Sequence, residues 1–306
     1  MARCFVTRDL PGPALDRLRD AHEVTVWPEA RPPSPAELAE GARSAEGLLS
    51  MLTDTLDADF LDGCPELKAI ANYAVGYDNI DVSAARERGI RVGNTPDVLT
   101  GATADLAFAL LLAIARGLPE AADSVRRGEW QTWGPTAYLG REVHGATLGI
   151  IGMGRIGRAV AQRAAGFEME VLHTGRGGVP LLQLLARSDF VSIHCPLTPE
   201  THHLINEAAL DKMKPTAFLI NTARGPIVDQ AALRRALTEG EIAGAALDVT
   251  YPEPLAGDDP LLTAPNLLVV PHIGSATGAT REQMATVAVE NLLAALDGRP
   301  MPDEVS

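Results

Sequence analysis

The feature that most limits what this chain can become is a series, met twice, of short apolar runs each followed by a stretch of helical rhythm. In the first hundred residues the runs are Cys4–Val6, Val24–Trp27, Gly47–Met51, Leu67–Asn72 and Arg91–Gly93. Helix formers fill the gaps, at Pro13–Ala21, Pro35–Ala42, Asp57–Leu61 and Val82–Arg88. A second series opens at Ala146, with runs at Leu148–Ile151, Glu170–His173, Phe190–His194, Ala217–Asn221, Ala243–Asp248 and Leu267–Val270. Runs this short and this apolar suit strands buried on both faces, and their alternation with helices implies parallel sheets covered on both sides. The expectation is an α/β protein of two doubly wound parallel-sheet domains, which fits 306 residues at roughly 150 per domain.

Between the series lies Leu106–Ala115, led by Thr100–Asp105. It is apolar on nearly all sides, so as a helix it should be buried, with Gly117-Leu118-Pro119 ending it. The polar stretch that follows carries Trp130 and Trp133 and reads as an exposed excursion whose tryptophans need a cover, for which a second subunit is the candidate. The last stretch, Arg281–Leu296, reads as one amphipathic helix with length to return to the first domain. The domains expected are therefore 1–97 plus 278–306, and 98–277.

Forty acidic against 26 basic side chains leave a formal charge of −14. That balance excludes general affinity for nucleic acid or an anionic membrane surface, both of which reward clustered Lys and Arg. The acidity is uneven: the first domain holds 22 acids against 12 bases, the second 18 against 14. Cys4, Cys64 and Cys195 are scattered, which disfavours a disulfide framework or a cysteine zinc site, and no cluster has metal-ligand spacing. The longest apolar run is about ten residues, half of what a bilayer requires. Charge comes too early in Met1–Asp9 for a secretory signal. A cytoplasmic location is expected.

Leu148–Arg158 contains Gly152-x-Gly154-x-x-Gly157 directly after an apolar run and at the opening of the helical stretch Ile156–Ala165. In that setting Gly152 makes a tight turn, Gly154 admits a pyrophosphate to the backbone, and Gly157 lets helix meet strand. The helix start then offers N–H groups and a positive dipole end to the phosphates. An NAD site places Asp or Glu some twenty residues on, to bond the ribose 2′-hydroxyl. Here the next run ends His173-Thr174-Gly175-Arg176, without a carboxylate. Arg176 can instead pair with a 2′-phosphate, so NADP(H) is favoured over NAD(H), which stays possible. After Arg176 the chain runs straight into the helical Leu181–Ala186, where a full nucleotide-binding unit would fit another helix and strand. Either that half is trimmed or residues are missing from the sequence.

Three segments carry polar residues just after apolar runs: Asn221–Gly225, Asp248–Pro254 and Pro271–Ser275. The carboxyl ends of parallel strands converge on the crevice where such folds bind ligands. An Arg, a Glu and a His arriving there can clamp a carboxylate, orient an imidazole and move a proton. The other histidines, His22, His144, His173, His194, His202 and His203, lack such a setting and read as structural.

With Asn72–Asp81, Asn94–Thr100, the glycine loop and these three segments in this order, the chain resembles the D-2-hydroxyacid dehydrogenase family over nearly its whole length. Within it, Thr174–Arg176 and Leu247–Thr250 make it most similar to the glyoxylate/hydroxypyruvate reductases. The resemblance implies a flavodoxin-like substrate domain, a Rossmann cofactor domain, an active-site cleft between them and a homodimer. It implies that Arg224 and the N–H groups of Val75 and Gly76 hold the carboxylate of a 2-oxo acid. His272 would be the general acid/base that protonates the carbonyl oxygen as hydride arrives, and Glu253 would bond its other nitrogen. It also implies cofactor contacts at Thr103, Arg155, Ile156, Pro196, Thr201, Thr222 and Asp248, with Gly175 and Gly274 beside them. Thr201 reads equally well as a helix start.

Other readings compete. A relative acting on 3-phosphoglycerate or D-lactate would usually be NAD-linked, against which the missing acid counts. A nucleotide-sensing corepressor can keep Arg224, Glu253 and His272, and is disfavoured only by the lack of long disordered tails.

Overall fold

The structure is a computed structural model that describes residues 1–305. The chain divides into two compact units, Met1–Leu99 with Ser275–Ser306, and Thr100–Gly274.

In the first unit strands β1 (Arg3–Val6), β2 (Glu23–Val26), β3 (Gly47–Ser50), β4 (Ala69–Asn72) and β5 (Arg91–Gly93) alternate with helices α1 (Ala14–Ala21), α2 (Pro35–Ala42), α3 (Ala58–Asp62) and α4 (Val82–Glu87). The strands lie in the order β2-β1-β3-β4-β5, all parallel. That is the flavodoxin-like order. Local side chains decide where the helices begin. Ser34 and Glu37 form a capping box ahead of α2, while Asp57 and Asp81 accept N–H groups at the starts of α3 and α4. Phe5, Leu48, Ile70 and Val92 build the core on one face of the sheet.

In the second unit the helices are α5 (Thr100–Ala115), α6 (Leu118–Arg126), α7 (Arg155–Ala165), α8 (Leu181–Arg187), α9 (Glu207–Leu210) and α10 (Gln230–Glu239). Its strands are β6 (Thr147–Ile151), β7 (Glu170–His173), β8 (Phe190–Ile193), β9 (Phe218–Asn221), β10 (Gly244–Leu247) and β11 (Leu267–Val269). They form one parallel sheet in the order β11-β10-β9-β8-β6-β7. Strands β8, β9 and β10 are buried at every residue, which is why they read as unbroken apolar runs. Helix α11 (Gly278–Leu296) returns to the first unit, packing on α1, β3 and β4.

One feature differs from the expectation: the stretch after Gly117 begins with a helix, α6. Gly117-Leu118-Pro119 ends α5 as expected, and it also opens α6. Gly117 turns through a left-handed φ of 57° and Pro119 sits in the first turn of α6, where the absent N–H of proline is not missed. The exposed excursion therefore starts only after Arg126, and it leaves Trp130 60% and Trp133 78% exposed. As the sequence led one to expect, the chain passes from β7 to α8 with no further strand, so β7 is the edge of the sheet.

Among the described residues no single helix is long and apolar enough to cross a membrane. Helices α5 and α6 would reach that length together, but they bend by 63° at their junction, and α5 is largely buried against the second sheet.

Candidate active site

The polar residues that follow β9, β10 and β11 come together. His272 Nδ1 lies 2.9 Å from Glu253 Oε2, with 28% and 27% of the two side chains exposed. Burial raises the Glu253 carboxyl, but the hydrogen bond and charge of His272, the Thr250 N–H at 2.9 Å and the charge of Arg224 outweigh it and hold the group below its ordinary range. An ionised carboxylate only accepts, so Nδ1 carries the hydrogen and the Nε2 edge is left for another partner.

Local backbone features bring Arg224 to this pair. Buried Asn221 folds the loop after β9 by donating to the Arg224 carbonyl at 2.8 Å and accepting from the Ala223 N–H at 3.0 Å. Gly225 then passes so close to the next loop that a Cβ there would sit 2.0 Å from the Thr250 carbonyl oxygen. Gln230 fastens that loop from the other side, donating to the Tyr251 carbonyl at 2.6 Å and accepting its N–H at 2.8 Å.

Asp248 organises the segment that carries the histidine. Its two carboxylate oxygens accept the N–H groups of Ile273 at 2.6 Å and Gly274 at 2.8 Å. The His272 N–H bonds the Asp248 carbonyl at 2.9 Å, and His272 itself has a φ of +52°. A non-glycine residue in the left-handed region persists where its surroundings over-determine it, and Asp248 supplies that constraint. Burial raises the Asp248 carboxyl above its ordinary value, with the two N–H groups and His272 pulling the other way. Thr103, buried on α5, donates to the Gly274 carbonyl at 3.3 Å.

The glycine loop has the shape a dinucleotide demands. A Cβ on Gly157 would lie 2.2 Å from the Gly152 carbonyl oxygen, and one on Gly152, at a φ of +96°, would strike the backbone of His194 and Cys195. Gly154 faces open space, and no side chain caps the N-terminus of α7. Arg155 and Ile156 occupy the first turn of that helix. Beside the loop is a cavity of about 650 Å³ whose lining includes Gly152, Arg158, Thr174, Gly175, Arg176 and Thr201. Thr222, just past β9, buries its Oγ1 without a hydrogen-bond partner. Glycines that admit no side chain, an uncapped helix start, a cavity and an orphaned hydroxyl together fit a bound dinucleotide.

Thr201 starts no helix. Its Oγ1 accepts the Thr198 N–H at 2.8 Å and donates to the Pro196 carbonyl at 2.7 Å, folding a turn at the cavity wall with Pro196 exposed beside it. His194 is a core histidine: burial pushes its pKa down to about 4, and Nε2 pairs with Ser192 Oγ at 2.8 Å. Burial also pushes the Cys195 thiol up to about 11, so it is no nucleophile. Val75 and Gly76 lie in the first unit, half-buried in the loop after β4.

Sequence reasoning passed over Arg158, although its place four residues beyond Gly154 puts it one turn into α7, on the cavity wall. It also gave no role to Asn72 and Asn94, whose side chains grip the loop of Val75 and Gly76; polar residues at strand ends were the available signal.

Residues 108–274 match the family described as D-isomer specific 2-hydroxyacid dehydrogenase, NAD binding domain. A glyoxylate reductase of Korarchaeum cryptofilum is 49% identical over 317 residues, covering 99% of this chain and 96% of the relative. One of Thermococcus gammatolerans is 48% identical with the same coverage. A solved structure of a Thermus thermophilus protein superimposes with a TM-score of 0.94 at 52% identity, covering 99% of this chain and all of the other. The NADPH-dependent glyoxylate/hydroxypyruvate reductase of Sinorhizobium meliloti, solved with NADP and malonate, gives 0.87 at 34% identity, covering 100% and 97%.

Proposed function

Because this chain belongs to the D-isomer specific 2-hydroxyacid dehydrogenase family, we propose that it reduces glyoxylate or hydroxypyruvate with NADP(H) in preference to NAD(H). The product is the 2-hydroxy acid, of D configuration where it is chiral. The observation that carries this reading is the His272–Glu253 pair at 2.9 Å, set among loops that also hold Arg224 and adjoin a glycine cradle.

When bound, the reduced dinucleotide supplies the hydride. The protein supplies the rest. Arg224 grips the substrate carboxylate and carbonyl through its planar fork. The N–H groups of Val75 and Gly76 are further donors to that carboxylate. His272 Nε2 gives a proton to the carbonyl oxygen and takes it back in the reverse direction, a positioned acid worth roughly 10²–10⁴-fold. Glu253 fixes the orientation and tautomer of the ring through Nδ1. Gly152, Gly154 and Gly157, with the N–H groups of Arg155 and Ile156, hold the pyrophosphate. Thr103, Pro196, Thr201, Thr222 and Gly274 complete the cofactor's surroundings, with Asp248 serving by holding the His272 segment.

For the adenosine side, Arg176 beside Gly175 takes the 2′-phosphate. No carboxylate lines this cavity, and Arg158 adds a second positive charge. The reading includes a homodimer, supported by Trp130, Trp133 and Leu139, which stand exposed in one stretch. It includes a cytoplasmic location, supported by three free thiols.

The test is the oxidation of NADPH and of NADH in the presence of glyoxylate, hydroxypyruvate, pyruvate and 3-phosphohydroxypyruvate. Turnover is expected with the first two and NADPH, and His272→Ala should abolish most of kcat. No turnover with any 2-oxo acid overturns the activity, and a strong NADH preference overturns the role of Arg176.

A further inference from the structure

In the first unit the loop Ala74–Tyr77 has three consecutive carbonyls pinned from behind. The Thr95 N–H donates to the Ala74 carbonyl at 2.8 Å, Asn94 Nδ2 to the Val75 carbonyl at 2.7 Å, and Asn72 Nδ2 to the Gly76 carbonyl at 2.9 Å. All three peptides that follow are trans, so each carbonyl is antiparallel to the next residue's N–H. Pinning three carbonyls inward turns the N–H groups of Val75, Gly76 and Tyr77 outward together. None of the three donates a hydrogen bond within the described chain. Successive N–H groups facing one way form a concave anion seat.

Asn72 and Asn94 are themselves held. Asn72 is fully buried at the end of β4, with Ser50 Oγ donating to its Oδ1 at 3.1 Å and its Nδ2 reaching Asn79 Oδ1 at 3.2 Å. Asn79 donates to the carbonyls of Met51 at 3.1 Å and Asp54 at 2.9 Å, and Asp54, also buried, accepts from Thr7 Oγ1 and the Met51 N–H. The Asn94 carbonyl accepts from Asn291 of α11 at 2.9 Å. Connected buried hydrogen bonds of this kind fix a single arrangement.

We propose that Asn94 and Asn72 are positioning residues for the substrate carboxylate, and that the seat they create has three donors, the Tyr77 N–H joining those of Val75 and Gly76. This rests on the reading of the activity given above. Two carboxylate oxygens offer about four lone-pair sites, enough for three N–H donors. The asparagines touch no substrate. They act by preventing the peptides from rotating, so their loss weakens carboxylate binding without disturbing proton transfer at His272.

The experiment uses Asn94→Ala, Asn94→Leu and Asn72→Leu. The leucines keep the approximate size and remove the donor without adding a charge. For each variant the measurements are kcat and KM for glyoxylate with NADPH, the Kd of NADPH, and the Kd of oxalate, a planar dicarboxylate probe, on the NADPH-loaded enzyme. The expected result is a rise of about tenfold in KM and in the oxalate Kd, the effect of one lost hydrogen bond to a charged group. The kcat should stay within about twofold and NADPH affinity should hold. An unchanged KM and oxalate Kd in a folded variant overturns the proposal, as does a loss of NADPH affinity in step with the other two. If Asn94→Ala does not fold, the two leucine variants decide. A wild-type enzyme that binds oxalate but turns over no 2-oxo acid refutes the activity while leaving the seat testable through oxalate alone. One that does neither refutes both.

Discussion

Replacing Glu253 by Gln isolates what its charge does for His272. Gln still offers an oxygen to Nδ1, so the ring stays oriented while the ionic part of the 2.9 Å contact disappears. Two unit charges about 4 Å apart interact by about 4 kcal/mol at an effective dielectric constant near 20. Roughly a quarter of each side chain is open to solvent, which screens the pair. A hydrogen bond to a charged group is worth about 1.5–3 kcal/mol net, and that is the figure to use. At about 1.4 kcal/mol per factor of ten, losing the charge should lower kcat/KM for the reduction about ten- to hundredfold. The assay is kcat/KM for glyoxylate with NADPH between pH 5 and 9. A Glu253→Gln enzyme whose kcat/KM is undiminished across that range would refute the claim that this carboxylate's charge assists His272.

The same carboxyl has a folded pKa below its ordinary 4.5, so its stabilising contribution is complete above that value and is lost as pH falls through the lowered one. In acid titration the wild type should therefore lose more stability below pH 4.5 than Glu253→Gln does, read from urea midpoints. Asp248→Ala strips partners from two N–H groups and should cost about 2–4 kcal/mol of stability as well as activity; an unchanged Tm would contradict its role in holding His272. Arg176→Gln should lower kcat/KM with NADPH about tenfold or more and leave NADH nearly untouched, so an equal fall with both cofactors would speak against a 2′-phosphate contact. Gly157→Ala puts a Cβ 2.2 Å from a carbonyl oxygen and should weaken NADPH binding about a hundredfold or prevent folding, checked by fluorescence titration beside a melting curve.

Much of the fold was legible because parallel strands buried on both faces must be apolar throughout, and β8, β9 and β10 are. The glycine loop was legible because backbone contacts exclude any other residue at 152 and 157. Gly117 ended α5 as expected, but α6 directly after it escaped, since a proline that marks the end of one helix also suits the first turn of another. His272 and Glu253 could be named as residue types after strands, whereas the left-handed backbone at His272 and the grip of Asp248 on the Ile273 and Gly274 N–H groups could not. Such bonds join a side chain to main-chain atoms some 25 positions away and leave no periodic trace. Asn72 and Asn94 escaped for the same reason: their partners are carbonyls, which every residue has.

The return of α11 to the first sheet has a consequence in time. During synthesis β1 to β5 are complete by residue 93, but Met284, Val289 and Leu292, which bury themselves against that unit, are made nearly 200 residues later. At roughly 5–20 residues per second, the face of β3 and β4 stays uncovered for about 10–40 s while the second unit is translated. Asn291, which holds the Asn94 carbonyl, arrives with the same helix. The nascent chain therefore acquires its glycine cradle before its carboxylate seat is finished, and a circular permutant that places 275–306 ahead of residue 1 should reverse that order.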